Sequence, residues 1–229
     1  MPILKTLNHD FFKKWTAEMA YVLGFFAADG SMIKNSRGAH FIEFDITDRS
    51  VLVQIRNAIG SNHKIATRIR NPQHKVGYRL QVGSKTMFTD LIKLGFSQRK
   101  SMTLRLPRIP PDFFGHFVRG YFDGDGCVYF ARLKFADRKR PRRLLNALFT
   151  CGSIGFLEDL HKMLKLYGVT GGSLRKKNRG FDLSLSFRDS LALYRLMYNT
   201  ASVTEFHLPR KYRIFKKAIK ALYPNAAVV

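Results

Sequence analysis

The chain has 229 residues, 45% apolar and 13% aromatic, enough to bury one large core or two units of about 100 residues each. Its 40 Lys and Arg against 16 Asp and Glu give a formal net charge of +24, which points to a polyanionic partner, nucleic acid first and an acidic membrane surface second. No apolar run approaches the ~20 residues that cross a bilayer, the N-terminus lacks the apolar block of a signal peptide, and two distant cysteines, Cys127 and Cys151, exclude a disulfide scaffold or zinc ribbon and suit a reducing, intracellular setting.

Thr16, with Glu18 in the first turn, opens a helix that runs to Asp29-Gly30. Strand-like runs at 32–35 and 39–47 follow. Then come a helical run at 48–59, a hairpin pairing 63–70 with 76–83, and a helix over 84–94. Pro107, Pro110 and Pro111 forbid helix and mark a linker, 107–111, between an N-terminal unit (1–106) and a C-terminal unit (112–229). Beyond the linker the succession repeats. A helix starts after Pro110-Pro111-Asp112 and ends at Asp125-Gly126. Strands at 128–135 and 144–150, a helix at 155–166, a hairpin of 173–177 with 181–187 and a helix at 190–198 complete it. The unit α-ββ-α-ββ-α, used twice, predicts a mixed α+β fold with two four-stranded antiparallel sheets and pseudo-two-fold symmetry.

Both hairpins alternate polar and apolar residues. Lys64, Ala66, Arg68 and Arg70 alternate with Ile65, Thr67 and Ile69, and Arg79 and Gln81 with Tyr78, Leu80 and Val82. In the second half Ser173, Arg175 and Lys177 alternate with Leu174 and Lys176, and Asp182, Ser184 and Ser186 with Leu183, Leu185 and Phe187. A solvated sheet face accounts for one such hairpin. Two of them in so basic a chain suit a surface that meets base edges and phosphates. The predicted nucleic-acid contacts are Lys34, Arg37, His40, Lys64, Arg68, Arg70, Arg79 and Gln81 in the first half. In the second they are Arg132, Lys134, Arg175, Lys177, Arg179, Ser184 and Ser186, with Arg138, Lys139 and Arg140 of a basic loop on the backbone.

The two helix ends share the pattern V-x-G-[FY]-F-x-[AG]-D-G, at residues 22–30 and 118–126. Ala20, Gly24 and Ala28 form one stripe; His116, Gly120 and Gly124 form the other. Small residues at that spacing let two helix backbones approach, and packing through the stripes would bring Asp29 and Asp125 together. Two close carboxylates beside a polyphosphate bind a divalent cation, Mg²⁺ by preference. One Asp-Gly alone reads first as a helix C-cap with a left-handed glycine, and the duplication is what favours the paired-carboxylate reading. Asp123-Gly124-Asp125-Gly126 lacks the ligand ladder and terminal Glu of a calcium loop. The histidines show no ligand spacing, and Trp15 with Phe11 and Phe12 suits an anchor for the N-terminal arm.

These residues resemble the LAGLIDADG homing endonucleases in the monomeric, two-motif form, and the flanking element order extends the likeness over nearly the whole chain. The resemblance implies that the motif helices form the interface between halves and that the sheets form a saddle over double-stranded DNA. It also implies that Asp29 and Asp125, with the Ala28 and Gly124 carbonyls, bind Mg²⁺, for which Mn²⁺ substitutes, and that both strands of a long site are cut with short 3′ overhangs. The sixth motif position departs from the pattern, being Asp123 in one copy and Ala27 in the other. Lys100 and Lys211 match the family's active-site lysines, and Asp48 and Ser153 match a water-positioning polar residue. The same fold without cutting would serve an intron maturase or a transcription regulator, and an RNA-processing nuclease is a further relative. Lacking flanking splice segments, the chain fits a free-standing, intron-encoded protein.

Overall fold

Thr16 starts α1 (Ala17–Asp29) by accepting the Met19 N–H at 3.1 Å on its hydroxyl from an extended backbone. The chain is a computed structural model describing residues 5–69, 73, 75–134, 136, 141–199 and 206–223. After α1 come β1 (Gly30–Lys34), β2 (His40–Ile46), α2 (Arg49–Ala58), β3 (Ile65–Arg68), β4 (Gly77–Gly83), α3 (Lys85–Lys93) and a single 3-10 turn at Lys100–Met102. The second half runs α4 (Pro111–Asp125), β5 (Gly126–Leu133), β6 (Arg142–Cys151), α5 (Ile154–Lys165), β7 (Ser173–Lys177), β8 (Gly180–Leu185), α6 (Phe187–Tyr198) and α7 (Pro209–Leu222). Pro111 opens α4 in the first turn, where an N–H would have no intrahelical partner.

Each half forms one four-stranded antiparallel sheet, in the orders β1-β2-β4-β3 and β5-β6-β8-β7. The registers correspond: Gly30 pairs with Phe44, and Gly126 with Phe149. One face of each sheet carries the core. Ile42, Phe44, Leu80 and Val82 in the first, and Leu145, Phe149, Leu183 and Leu185 in the second, are fully buried. Helices α1 and α4 lie between the sheets, buried along most of their lengths. Trp15 stacks on Phe113 at the head of α4 and packs on the core with Phe11 and Phe12. Cys127 and Cys151 are free thiols.

Three details differ from the expectation. The unforeseen α7 is an amphipathic helix that buries Lys211, Phe215 and Ala218; Arg143 of β6 donates to its Ala221 carbonyl. Helix α6 begins at Phe187, three residues early, so Ser186 is its N-cap residue and donates to Asp189 Oδ2 at 3.2 Å instead of extending the strand face. Gly30 and Gly126 have φ of −89° and −85°, so they are not left-handed caps. They are small because a Cβ at either would strike the Phe26 or Phe122 side chain as the chain turns from helix into strand.

Candidate active site and nucleic-acid-facing surface

Gly24 and Gly120 set the position of the site. A Cβ at Gly24 would fall on the Phe117 carbonyl, and one at Gly120 on the Tyr21 carbonyl, so α1 and α4 touch backbone to backbone. Further along, a Cβ at Gly124 would strike the Ala28 methyl and lie 3.2 Å from Asp29 Oδ2. The last residue of α1 therefore reaches the end of α4. Burial, then the neighbouring Asp125 charge, push Asp29 up to about 7. Burial also raises Asp125, against the pull of Lys100, Lys211 and Lys177.

A buried lysine sits at each helix end. Lys100 Nζ donates to the Ala27 carbonyl at 2.7 Å and to Ala28 at 3.4 Å. Lys211 Nζ donates to Phe122, Asp123 and Gly124 carbonyls at 2.6, 2.8 and 3.3 Å. A cation at a helix C-terminus meets the negative end of the dipole and gives the last-turn carbonyls a donor; that of Phe122 also takes the Gly126 N–H. Burial lowers both ammonium groups to about 8, and the aspartates oppose that shift. An open groove of about 680 Å³ runs from Asp29, Gly124 and Lys100 onto Ser31, Glu43, Asp45 and Arg68 of the first sheet.

Asp48 and Ser153 occupy equivalent N-cap positions, of α2 and α5, without capping either helix. Asp48 accepts from Arg210 Nε at 3.1 Å, which holds Arg210 in the groove wall. Ser153 is buried and donates to the Leu104 carbonyl at 2.8 Å. Sequence reasoning missed Arg210, the neighbour of Lys211 in the chain. Asp123, the unmatched motif position, is buried and structural. Its Oδ2 accepts from the Tyr21 hydroxyl at 2.8 Å and from Leu208 N at 2.7 Å, and burial raises it to about 6.

Strand alternation sorts the predicted nucleic-acid contacts. On the outer faces, away from the helices, lie Arg68, Arg79 and Gln81 in the first sheet and Arg175, Lys177 and Ser184 in the second. Carboxylates hold several of them: Arg68 to Asp45 at 2.7 Å, Arg79 to Glu43 at 3.2 Å, and Lys177 to Asp182 at 3.0 Å. Lys177 is close enough for Asp125 to feel its charge, so both outer faces adjoin the aspartate pair. Three residues fall on the wrong face. Lys34 and His40 pair with each other in the same rows as core-facing Met32 and Ile42, and the His40 ring rests on Phe88 of α3 at 4.6 Å. Arg132 shares the row of Val128 and Phe130, on the helix side. Lys64 precedes β3, Lys134 follows β5, and Arg37 and Arg179 lie in hairpin turns, all exposed. Arg70, Arg138, Lys139 and Arg140 lie outside the described residues.

Residues 16–92 match the LAGLIDADG-like domain family. Among solved structures, I-SmaMI bound to an uncleaved DNA target in the presence of calcium ions is 13% identical, with a TM-score of 0.59 over 93% of each chain. The LAGLIDADG meganuclease I-AabMI bound to uncleaved DNA is 13% identical at 0.58 over 88% of each. The I-LtrWI LAGLIDADG homing endonuclease bound to target DNA is 13% identical at 0.57, over 95% of this chain and 92% of that one. No curated protein matches the sequence. The first half thus carries a LAGLIDADG-like domain, and nearly the whole chain has the two-domain LAGLIDADG fold. No helix among the described residues is long and apolar enough to cross a membrane.

Proposed function

We propose that this LAGLIDADG-fold chain is a site-specific, divalent-metal-dependent DNA endonuclease that acts as an intracellular monomer and cuts both strands, leaving short 3′ overhangs. One observation carries the reading: glycine-to-backbone contact between α1 and α4 brings two half-buried aspartates together beside a polar groove. The halves 1–106 and 112–229, joined through 107–111, would each cover one half of a long site.

The residues present fit Mg²⁺. Asp29, Asp125 and the Ala28 and Gly124 carbonyls offer only hard oxygen donors, and two half-buried carboxylates, with Asp29 raised by the charge of Asp125, gain from a divalent cation between them. Among the described residues no three His, Cys, Asp or Glu side chains cluster, so backbone, phosphate and water would complete the coordination. Mg²⁺, or Mn²⁺ in its place, supplies a Lewis acid that lowers the pKa of a water and offsets charge on the leaving oxygen.

The chain's own groups do the rest. Lys100 and Lys211 neutralise the helix ends and stand beside the aspartates as fixed positive charge for a phosphate. Arg210, braced by Asp48, adds a cation in the groove wall. Arg68, Arg79 and Gln81 on one sheet, and Arg175, Lys177 and Ser184 on the other, present donors to base edges.

A library of random-sequence duplexes incubated with the protein and Mg²⁺ is expected to yield products cut in both strands at one long consensus. Retention of duplexes without cutting, in Mg²⁺ and in Mn²⁺, would instead identify a binding module such as a maturase or regulator. Affinity for the selected duplex should fall about 10³-fold between ~50 and ~200 mM salt if six phosphates are neutralised; a titration showing a flat response would contradict a phosphate-tracking surface.

A further inference from the structure

The outer faces of the two sheets compare position by position. Counting from the Gly30–Phe44 and Gly126–Phe149 pairs, Ser31 matches Cys127, Glu43 matches Leu148, and Gln81 matches Ser184. In the first sheet these rows form a hydrogen-bonding lattice: Glu43 accepts from Gln81 Nε2 at 2.8 Å and from Arg79 at 3.2 Å.

In the second sheet the β5–β6 part of the same face is the more apolar one, whereas β1–β2 has the single apolar pair Ile33–Phe41; polar bonds of Asn146 with Ser184 and of Thr150 with Asp182 cross from β6 to β8. Cys127, Tyr129, Ala131 and Leu133 of β5 pair with Leu148, Asn146, Leu144 and Arg142 of β6. Alternation turns them away from Val128, Leu145, Ala147 and Phe149, which are buried in the core. Tyr129 is 51% exposed, and Leu133, Leu144 and Leu148 are half-buried without belonging to the core cluster. Exposed apolar groups gathered on one face mark a contact surface. Arg142 at one end, and Arg175 and Lys177 on β7, frame this one with positive charge, so its occupant is a polyanion that also offers apolar groups. In the major groove of duplex DNA that group is the C5 methyl of thymine.

We infer that the C-terminal sheet reads its half of the target by burying thymine methyl groups against Tyr129, Leu144 and Leu148, whereas the N-terminal sheet reads donor and acceptor edges mainly through Arg79 and Gln81, which Glu43 orders. This rests on the endonuclease reading and adds a property of the target: one arm is thymine-rich and the other carries the hydrogen-bonded contacts. The matched pair Glu43 and Leu148 makes the contrast sharpest, a buried carboxylate that orders Arg79 and Gln81 set against a side chain that offers only methyls.

Random-sequence duplexes selected for binding in EDTA, so that none is cut, should yield a consensus with one thymine-rich arm. Resynthesis of that arm with deoxyuridine in place of thymidine removes methyl groups alone. Binding should weaken about tenfold for every two methyls buried, while the same replacement in the other arm should cost clearly less. Leu148→Ser should bind the thymine duplex more weakly and lose most of its discrimination against uracil; should that variant fail to fold, the uridine comparison on the unaltered protein decides alone. Equal affinity for the thymine and uracil forms of that arm overturns the inference and leaves the endonuclease reading standing. A pool from which no duplex is retained overturns both.

Discussion

Asp29→Asn and Asp125→Asn are each expected to slow cleavage of at least one strand by about 10³-fold or more, the rate equivalent of losing several kcal/mol of metal-supported charge stabilisation, while duplex binding stays within a few-fold. Strand-specific end labels in Mg²⁺ provide the measurement, and undiminished cutting of both strands by either variant would end the assignment. The same substitution carries a second signature. Asp29 sits at about 7 in the folded chain against an ordinary 3.8, so folding takes up a proton between those values, and the ionised carboxylate opposes folding above pH 7. Stability of the metal-free protein should therefore fall as pH rises from ~4 to ~7 on this account. Asp29→Asn would escape that loss, so the variant should exceed the parent by on the order of 2–4 kcal/mol at pH 8 and converge with it near pH 4. Lys100 and Lys211, lowered to about 8, act in the next window: stability returns as pH rises from ~8 to ~10.5, where they bind fewer protons folded than unfolded. Mg²⁺ should raise the melting temperature of the parent and leave that of Asp29→Asn nearly unmoved.

Gly120→Ala and Gly24→Ala should have the largest effect on the fold. Each methyl would occupy the position of a carbonyl oxygen on the facing helix, Tyr21 in one case and Phe117 in the other. Neither neighbour is a flexible side-chain tip that can swing aside, so the helices must separate. We expect about 3 kcal/mol or more of destabilisation from each, at the upper end of overpacking costs, read by denaturant melts. Cleavage should fall further than the folded fraction, because separation of the helices pulls Asp29 from Asp125. Gly83→Ala is the matched control. Its nearest neighbour is Phe41 Cε1 at 3.5 Å, an ordinary contact, so the change should cost less than about 1 kcal/mol. Equal tolerance at all three positions would show that the helices do not need their close contact.

Sequence reading succeeds where periodicity and spacing are local. The Thr16 cap, the prolines before α4, the Asp-Gly helix ends and the alternating hairpins are all short-range signals, and they suffice for the element order and the approach of Asp29 to Asp125. It fails where the reference point is wrong. Charge alone assigns Lys34, His40 and Arg132 to the outer face, although counting from buried Met32, Ile42 and Val128 puts them in the helix-side rows. Helix α7 is hidden by its six Lys and Arg residues, which draw notice to charge and away from Tyr212, Phe215 and Ile219 at helical spacing behind Pro209. Ser186 begins an S-x-x-D pattern with Asp189, a helix-start signal that the strand alternation masks. The lysine bonds to helix-end carbonyls, and the Asp48–Arg210 pair between α2 and α7, join residues more than 70 positions apart; nothing local announces them.

The Tyr21–Asp123 bond has a consequence for how the two motif helices choose each other. At the corresponding motif positions Tyr21 matches Phe117, and Asp123 matches Ala27. A chain built from two first halves would set a buried tyrosine hydroxyl against alanine, and one built from two second halves would set a buried carboxylate against phenylalanine. Each leaves a polar group without its mate, at about 1–3 kcal/mol, and only the mixed pair joins the hydroxyl to the carboxylate. The seam is therefore heterotypic: replacing either half by a second copy of its sibling would require a matching partner to be restored across it.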